Sequence, residues 1–312
     1  MLGYLGFDTS NYTTSVACYL ENGEIVSEKL MLAVAAGEKG LRQNDALFLH
    51  TKQLPIILDK LFTSLPEDVR IAAVGASEKP RDNPQSYMPC FLAGRTAAVS
   101  AAKAAKVSYY GFSHQSGHLA AALYGANRLD LLSAPFLAFH VSGGTTEGLY
   151  VVPHKNSFTV EIISKTLDIS AGQLIDRIGV KLGYSFPAGE RLEQDALLHT
   201  ESLSPKPVIK GTDCCLSGVE NICDRLLQNG CEASYAAKYC FEYIAEALVE
   251  ISQRLMDKYP NTPILFSGGV MSSSLIKEYI SMRIPAIFTK PELSKDNACG
   301  IALLTNAMAF TR

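Results

Sequence analysis

The sequence lacks a Cys-x-x-Cys pair, a long hydrophobic run and an excess of basic residues. Its eight cysteines show no spacing typical of zinc or redox sites, so we expect reduced thiols on helix faces. No segment approaches the roughly 18 apolar residues of a membrane span, and the N-terminus lacks the basic start of a secretion signal. The formal net charge of −3 argues against a dedicated nucleic-acid coat protein. We therefore expect a soluble, cytoplasmic protein that contacts nucleic acid, if at all, through a local site.

Hydrophobic residues are plentiful, at 47% of the 312 positions, which suffices for one large or two medium cores. Strand patterns alternate with helix patterns in both halves, which predicts an α/β fold with a largely parallel sheet in each half. A junction expected at residues 128–134 separates an N-terminal lobe, 1–130, from a C-terminal lobe, 131–312, that carries a helical insert. Pro55 interrupts the helix pattern of residues 44–65, which predicts a kinked helix or two helices.

The hairpins that open the two halves repeat each other. The segment YLGFDTSNYTTS, from Tyr4, aligns without a gap with FLAFHVSGGTTE, from Phe136, and five of the twelve positions are identical. The identical residues are Leu5, Phe7, Ser10, Thr13 and Thr14 in the first copy and Leu137, Phe139, Ser142, Thr145 and Thr146 in the second. Because both segments are predicted to form strand, turn and strand, we interpret the match as a duplication.

Small polar residues occupy the turns of these hairpins. The turn Ser142-Gly143-Gly144 exposes backbone N–H groups and hydroxyls at one point, and such donors hold phosphate oxygens. The matched pair of hairpins favours a phosphate-binding role, although an ordinary hairpin would tolerate the same residues. Ser267-Gly268-Gly269 is a third candidate, because glycines between a strand and a helix allow a nucleotide to approach closely. Ordinary packing is the alternative there.

Two histidines form the candidate metal site. His114 and His118 are four residues apart on a predicted helix, so both lie on one face and can bind one divalent metal. An incidental pair of histidines is the alternative. Gln115 follows the first histidine, so the segment is not the His-Glu-x-x-His motif of zinc proteases. Asp296 is the best distant candidate for a third ligand, and its alternative role is a helix N-cap.

Taken in order, these motifs resemble the TsaD or glycoprotease family of tRNA threonylcarbamoyladenosine transferases, members of the actin, sugar-kinase and Hsp70 ATPase (ASKHA) superfamily. The two-histidine metal motif of the family is similar to His114-x-x-x-His118, and its Asp-Asn pair near the C-terminus to Asp296-Asn297. Further similar segments are Ser142-Gly143-Gly144, Asp176 on a predicted helix, Gly189 after it, Ser217-Gly218 before the insert helices, and Gly268-Gly269-Val270.

The resemblance implies a duplicated actin-like ATPase (ASKHA) fold, with two RNase H-like lobes and a cleft between them. It implies that His114, His118 and Asp296 hold a divalent metal, iron or zinc, since imidazole and carboxylate ligands suit both. It also implies a site for ATP or another adenylate nucleotide. The residues of that site would be Ser10, Ser142, Gly143, Gly144, Asp176, Gly189, Gly268 and Gly269.

The activity implied by the resemblance is transfer of a threonylcarbamoyl group from threonylcarbamoyl-adenylate to adenosine in tRNA. The ligands and partners would be an adenine nucleotide or threonylcarbamoyl-adenylate, tRNA, and a protein partner or a second copy of the chain, with no membrane. No catalytic residue is assigned. The peptidase activity once attached to the family has no support, because neither a glutamate beside the histidines nor a nucleophile with its base is visible.

The sequence also departs from the family pattern. Tyr12 and Thr13 stand where the family has Asp and Glu, Thr145 stands for a His, and Ser273 stands for an Asn. The stretch PRDNPQSYMP, around Asp82, replaces a Gly-Pro-Gly loop. These departures motivate a second hypothesis, a divergent non-catalytic paralogue that acts as a nucleotide-binding partner or regulator. A small-molecule kinase of the same superfamily is a third hypothesis, disfavoured by the single carboxylate of the first strand.

Overall fold

The computed structural model describes residues 1–10, 12–33, 41–83, 85–154, 157–290 and 297–310, and the chain forms two units. The first unit contains Met1–Ser133, Pro153–Thr159 and the C-terminal helix. The second contains Ala134–Val152 and residues 160–290. The boundary after Ser133 lies within the junction expected from the sequence.

A five-stranded mixed sheet forms the centre of the first unit. Its strands are β1 Leu2–Ser10, β2 Thr13–Leu20, β3 Ile25–Met31, β4 Arg70–Lys79 and β5 Ser108–Ser113, in the order β3-β2-β1-β4-β5. The helices are α1 Gln43–Ser64, α2 Phe91–Ala105, α3 His114–Gly125 and α9 Asn297–Phe310. Apolar residues of β1 alternate between the sheet faces: Leu5 and Phe7 pack towards α1 and α2, whereas Gly6 lies against α9.

The second unit repeats this arrangement. Its sheet contains β6 Phe136–Val141, β7 Thr146–His154, β8 Ser157–Lys165, β11 Ile264–Ser267 and β12 Ile287–Phe288, in the order β12-β11-β6-β7-β8. Its helices are α4 Ala171–Lys181, α5 Gly189–Ala196, α6 Gly218–Gln228, α7 Ala233–Lys258 and α8 Ser274–Ser281. A separate two-stranded sheet joins β9 Val208–Lys210 to β10 Asp213–Cys215. The long helix α7 contributes much of the buried apolar core of this unit.

The strand register supports the duplication. In the first hairpin Tyr4 pairs with Tyr19, and in the second Phe136 pairs with Val151. Both positions are shifted by the same number of residues (136 − 4 = 132 and 151 − 19 = 132), which is the offset of the gapless sequence alignment. The strand beside each hairpin is parallel to the first strand of that hairpin: β4 is parallel to β1 in the first unit, and β11 is parallel to β6 in the second. The two halves therefore share strand order, direction and register.

Two expectations differ from the structure, and a third is decided between its alternatives. The sheets are mixed rather than largely parallel, because each unit opens with an antiparallel hairpin. Of the two alternatives at Pro55, a kinked helix or two helices, the structure has one helix, α1, which continues through the proline. The C-terminal helix α9 belongs to the first unit, although the expected lobe boundary placed it in the second. It lies on β1, where a Cβ at Gly6 would overlap the backbone of Ala298 and Ala302. That close packing assigns the final segment to the N-terminal sheet.

The cysteines are reduced, as expected, but they do not all lie on helix faces: Cys18 is in β2, and Cys214 and Cys215 are in β10. None of the eight cysteines forms a disulfide among the described residues, and six of them are buried. Burial raises the pKa of the Cys18 thiol to about 11, which keeps it protonated at neutral pH. Within the described residues, no helix is both long and apolar enough to cross a membrane.

His50 of α1 is fully buried beside the first hairpin. Its Nδ1 lies 2.8 Å from Thr14 Oγ1, which donates to Gln53 Oε1 at 2.7 Å. Its Nε2 has no hydrogen-bond partner among the described residues. Burial lowers the pKa of His50 to about 4, while the charge of Asp8 acts in the opposite direction. A neutral imidazole is therefore the form that the folded state accommodates.

This burial predicts acid sensitivity. An unfolded histidine titrates near pH 6.5, so between about pH 6.5 and 4 the unfolded state binds more protons and the free energy of unfolding falls with decreasing pH. The loss attributable to His50 is at most about 3 kcal/mol, at roughly 1.4 kcal/mol per pKa unit. Urea unfolding of the wild type and of His50→Gln between pH 7 and pH 4 should show a flatter pH dependence for the variant. Parallel curves would contradict the prediction, and His154→Gln, at an exposed position, is the control.

Candidate functional site

The Ser142-Gly143-Gly144 turn joins β6 to β7. Ser142 N donates to Thr145 O at 2.7 Å, and Thr145 N donates to Ser142 Oγ at 3.1 Å, which closes the turn around the two glycines. Both glycines are exposed, and nothing lies within 4 Å of a Cβ added at either position. A ligand can therefore approach the backbone of the turn without meeting side chains.

The N-terminus of α4 packs directly against this turn. Ser170 caps α4 in a capping box with Gln173, and its hydroxyl also donates to Gly143 O at 2.6 Å. Gly172 N donates to Ser142 O at 3.2 Å, and a Cβ at Gly172 would meet the Gly143 backbone. A helix N-terminus carries a partial positive charge, so the turn lies in a region that favours anions.

A second glycine turn lies beside the first. Strand β11 runs parallel to β6, and Ser267 pairs with His140 at the carboxyl ends of both strands. Gly268 has φ +103°, and a Cβ there would overlap the carbonyl group of Val141. Only glycine fits this combination of backbone conformation and close approach. The two turns predicted to hold a nucleotide are thus neighbours at one edge of the sheet, which is where open α/β sheets bind ligands.

A cavity of about 640 Å³ opens beside the first turn. Its lining residues are Gly143, Gln173, Asp176, Arg177, Val180, Lys181, Phe186 and Glu220. Asp176 Oδ1 accepts a hydrogen bond from Ala188 N at 2.8 Å, so this carboxylate also holds the residue that precedes Gly189 and α5. The volume lies within the range of small-molecule sites. The structure therefore brings Gly143, Asp176 and Gly189 into one region of the second unit.

Not every predicted nucleotide residue lines this cavity. Gly144 and Gly269 are exposed and lie at the two turns, outside the cavity lining. Ser10 belongs to the first unit, where its backbone N donates to Asp8 Oδ1 at 3.1 Å. The helix pattern of the sequence did not identify α6, but the family resemblance placed insert helices after Ser217-Gly218, where α6 begins.

Asp168 holds that start of α6. Its carboxylate accepts from Leu216 N at 2.8 Å, from Ser217 N at 3.0 Å, and from the Ser217 hydroxyl at 2.5 Å. Burial alone would raise the pKa of Asp168, but these hydrogen bonds outweigh it and the net pKa is lowered. The sequence carried no signal for this contact, because the partners lie almost fifty positions apart.

The histidine pair lies in the first unit, on α3. Ser113 caps the helix by accepting from Ser116 N at 3.1 Å, and His114 is the first helical residue. The rings of His114 and His118 are in contact, with centroids 4.5 Å apart and planes at 73°. The expectation that both imidazoles lie on one face of a helix is confirmed.

A buried carboxylate orients the first of these rings. Asp8 Oδ2 lies 2.8 Å from His114 Nδ1, and Asp8 is 1% exposed at the carboxyl end of β1. Burial by itself would raise the pKa of Asp8, but the charge and hydrogen bond of His114, together with bonds from Ser10 and Ser77, hold it below its usual value. Asn297 Nδ2 lies 3.1 Å and 3.2 Å from the two ring nitrogens of His114. Sequence reasoning noted Asp8 only as the single carboxylate of its strand.

The donor set can be compared with what a divalent metal requires. A metal-binding histidine commonly donates a hydrogen bond from its second ring nitrogen to a carboxylate, and His114 Nδ1 faces Asp8 in this way. His118 supplies an adjacent imidazole. Among the residues that the structure describes, no three His, Cys, Asp or Glu side chains form a metal-binding group. The predicted third ligand, Asp296, lies outside the described residues. The described residues thus bring two of the three predicted ligands, His114 and His118, into contact.

Known proteins with similar sequences point to one family. The family model described as TsaD, tRNA N6-adenosine threonylcarbamoyltransferase, matches residues 45–303. The tRNA N6-adenosine threonylcarbamoyltransferase of Enterococcus faecalis is 27% identical over 308 residues, which cover 91% of this chain and 82% of that protein. The enzyme of the same name from Thermus thermophilus is 28% identical over 312 residues, with 96% and 90% covered.

Solved structures with the same fold are more distant in sequence. HypF from T. kodakarensis superposes with a TM-score of 0.63 at 12% identity, over 99% of this chain and 47% of that one. Component A of the (R)-2-hydroxyglutaryl-CoA dehydratase of Acidaminococcus fermentans gives 0.56 at 14% identity, over 99% and 100%. These likenesses confirm the predicted actin-like ATPase (ASKHA) fold, and the family match confirms the resemblance seen in the motifs. The chain therefore belongs to the TsaD family of tRNA N6-adenosine threonylcarbamoyltransferases.

Proposed function

We propose that this protein transfers a threonylcarbamoyl group from threonylcarbamoyl-adenylate to adenosine in tRNA. The observation that carries the proposal is the assembly of the Ser142–Gly144 turn, the N-terminus of α4 and the adjoining cavity in one region of the second unit. In this reaction the adenine N6 attacks the carbamoyl carbonyl, the bond from that carbon to the phosphate oxygen breaks, AMP leaves and N6 releases a proton.

The residues of the second unit would bind the adenylate. Backbone N–H groups of the turn and the positive end of α4 would hold the phosphate, which needs donors more than formal charge. Asp176 and the start of α5 at Gly189 would contact the sugar, because the Asp176 carboxylate both lines the cavity and anchors Ala188. Gly268 would hold the second turn closely against Val141, next to the Ser142–Gly144 turn. ATP or another adenylate could occupy the same site.

His114, His118 and Asp296 would hold a divalent metal, iron or zinc. When bound, such an ion supplies Lewis-acid polarisation of a phosphate or carbamoyl oxygen. Asp8 would keep the His114 ring in place by accepting from Nδ1, and a metal would bind Nε2 in place of the Asn297 amide, which lies 3.2 Å from that nitrogen. The partners would be tRNA and a protein partner or a second copy of this chain.

A reconstituted reaction tests the proposal. The purified protein, with its threonylcarbamoyl-adenylate supplier and accessory subunits, should produce threonylcarbamoyladenosine in tRNA, measured by mass spectrometry of nucleosides. Asp176→Ala should weaken adenylate binding about tenfold or more, because a hydrogen-bonded carboxylate is lost from the cavity. Asp257→Ala, at an exposed position of α7 in the same unit, is the matched control.

The alternative is a divergent non-catalytic paralogue that acts as a nucleotide-binding partner or regulator. The departures from the family pattern support this alternative. One of them, Ser273, caps α8 and donates to Glu193 Oε1 at 3.0 Å, so its hydroxyl is used within the fold. Adenylate binding that Asp176→Ala weakens, without modification of tRNA, would favour this alternative. Absence of both binding and transfer would contradict both functions.

A further inference from the structure

Asp82 lies in the stretch of residues 80–89 that replaces the Gly-Pro-Gly loop of the family, and the proposed function gives it no role. Its carboxylate is the centre of a hydroxyl cluster in the first unit. Asp82 Oδ2 accepts from Ser113 Oγ at 3.2 Å, from Ser116 Oγ at 3.1 Å and from Ser157 Oγ at 3.0 Å. Lys79 Nζ lies 3.1 Å from the other oxygen, Oδ1. Both oxygens of this carboxylate are therefore engaged.

Two of these serines belong to the beginning of the histidine helix. Ser113 is the N-cap of α3 and is 1% exposed, and Ser116, in the first turn, is 0% exposed. Ser113 Oγ accepts from Ser116 N, so the single proton of the Ser113 hydroxyl is free to point to Asp82. The carboxylate thereby fixes the orientation of the capping hydroxyl.

The same loop holds the first turn of α3 at a second point. Gln115 N donates to Pro80 O at 3.0 Å, two positions from Asp82 in the chain. The first turn of a helix has backbone N–H groups without intrahelical partners, and the cap and this carbonyl satisfy two of them. His114 lies between the two held residues, Ser113 and Gln115. A change at the loop therefore acts on the backbone that carries His114.

We propose that Asp82 is a positioning residue, which fixes the first turn of α3 and thereby the direction of the His114 and His118 rings. It acts through Ser113 and Ser116, whose hydroxyls donate to its carboxylate. The consequence for metal affinity rests on the proposed function, whereas the consequence for the helix does not. In this chain, the hydrogen bonds of the Asp82 carboxylate would then replace the backbone geometry of the Gly-Pro-Gly loop of the family.

Amide hydrogen exchange on the metal-free full chain tests the effect on the helix. In Asp82→Asn, an amide of equal size has one acceptor oxygen and a donor group in place of the second, so it cannot satisfy the serines and Lys79 together. Exchange at Gln115 and Ser116 should be about fivefold faster, the scale of a weakened N-cap, with the central sheet unchanged. Asp59→Asn, an exposed carboxylate on α1, is the matched control.

Cobalt(II) is the probe for the metal site. Asp82→Asn should bind Co²⁺ about tenfold more weakly than the wild type, as expected when a supporting residue is lost, and the visible spectrum of the bound ion should shift. Asp59→Asn should match the wild type in both. The spectral shift separates a change of ligand direction from a general loss of stability.

The outcomes are distinguishable. Unchanged exchange in the first turn of α3, or faster exchange throughout the first unit, would overturn the positioning role of Asp82. If the wild type binds Co²⁺, an unchanged affinity and spectrum in Asp82→Asn would overturn the effect of Asp82 on the histidines. A wild type that binds no Co²⁺ would contradict the metal part of the proposed function, and hydrogen exchange alone would then decide the role of Asp82.

Discussion

Replacing Gly300 by alanine is expected to destabilise the first unit and to abolish metal binding. Gly300 lies in the first turns of α9 where this helix crosses α3, and a Cβ there would overlap the carbonyl oxygen of Gly117. The overlapping atom belongs to helix backbone, so it cannot move aside as the end of a flexible side chain could. The two helices would have to separate, and α3 carries both histidines while α9 begins at Asn297.

Two opposing effects make the sign of this prediction informative. In an unhindered helix interior, alanine is favoured over glycine by about 1 kcal/mol. Overpacking against backbone costs about 1–3 kcal/mol and sometimes more, and here the overlap is severe. We therefore expect a net loss of about 2 kcal/mol in the free energy of unfolding, measured by urea denaturation, and no Co²⁺ binding at concentrations that saturate the wild type.

The control for this substitution is Gly218→Ala. Gly218 is the first residue of α6, and a Cβ there meets nothing within 4 Å. This variant should be as stable as the wild type or more so, and it should bind Co²⁺ normally. A Gly300→Ala protein that is stabilised and binds metal would show that α3 and α9 can move apart without consequence for the site.

Sequence patterns predicted the features that are encoded within a short segment of the chain. The hairpin repeat was visible because strand register follows directly from residue order, and the 132-residue offset reappears in the pairing of Tyr4 and Phe136. The contact of the His114 and His118 rings also follows from helix geometry alone. The Ser142–Gly144 turn was found for the same reason, since a short polar turn between two strands needs no distant partner.

Contacts between distant segments could not be predicted in this way. The apolar pattern of residues 297–309 indicated a buried helix, but it did not specify which sheet would bury it. The decisive features are Gly6 and Gly300, and a lone glycine in a sequence does not identify the backbone that approaches it. Asp168 and Asp82 were missed as anchoring residues for the same reason. A carboxylate in a loop has no pattern that reveals which hydroxyls it will accept from.

Asp8 illustrates the same limit within the candidate site, and it gives the second large effect. The carboxylate was visible at the end of a buried strand, but its partner, His114, lies 106 positions later. Because Asp8 is 1% exposed, its carboxylate is kept ionised by the histidine and by the donors around it. Leaving a buried polar group without its hydrogen-bond partner costs about 1–3 kcal/mol. The partial exposure of His114, at 22% of its side chain, allows water to reduce that cost.

Asp8→Asn is therefore expected to lower Co²⁺ affinity about 10- to 100-fold and the free energy of unfolding by about 1–3 kcal/mol. An asparagine oxygen can accept from His114 Nδ1, but its amide group would then face the N–H of Ser10, which needs an acceptor. If the amide turns around, His114 loses its acceptor instead. One side of the site is unsatisfied in either orientation, so the ring is no longer held in one direction. Equal Co²⁺ affinity in Asp8→Asn and the wild type, with Asp59→Asn as the control, would show that His114 is oriented by Asn297 and by ring contact with His118 alone.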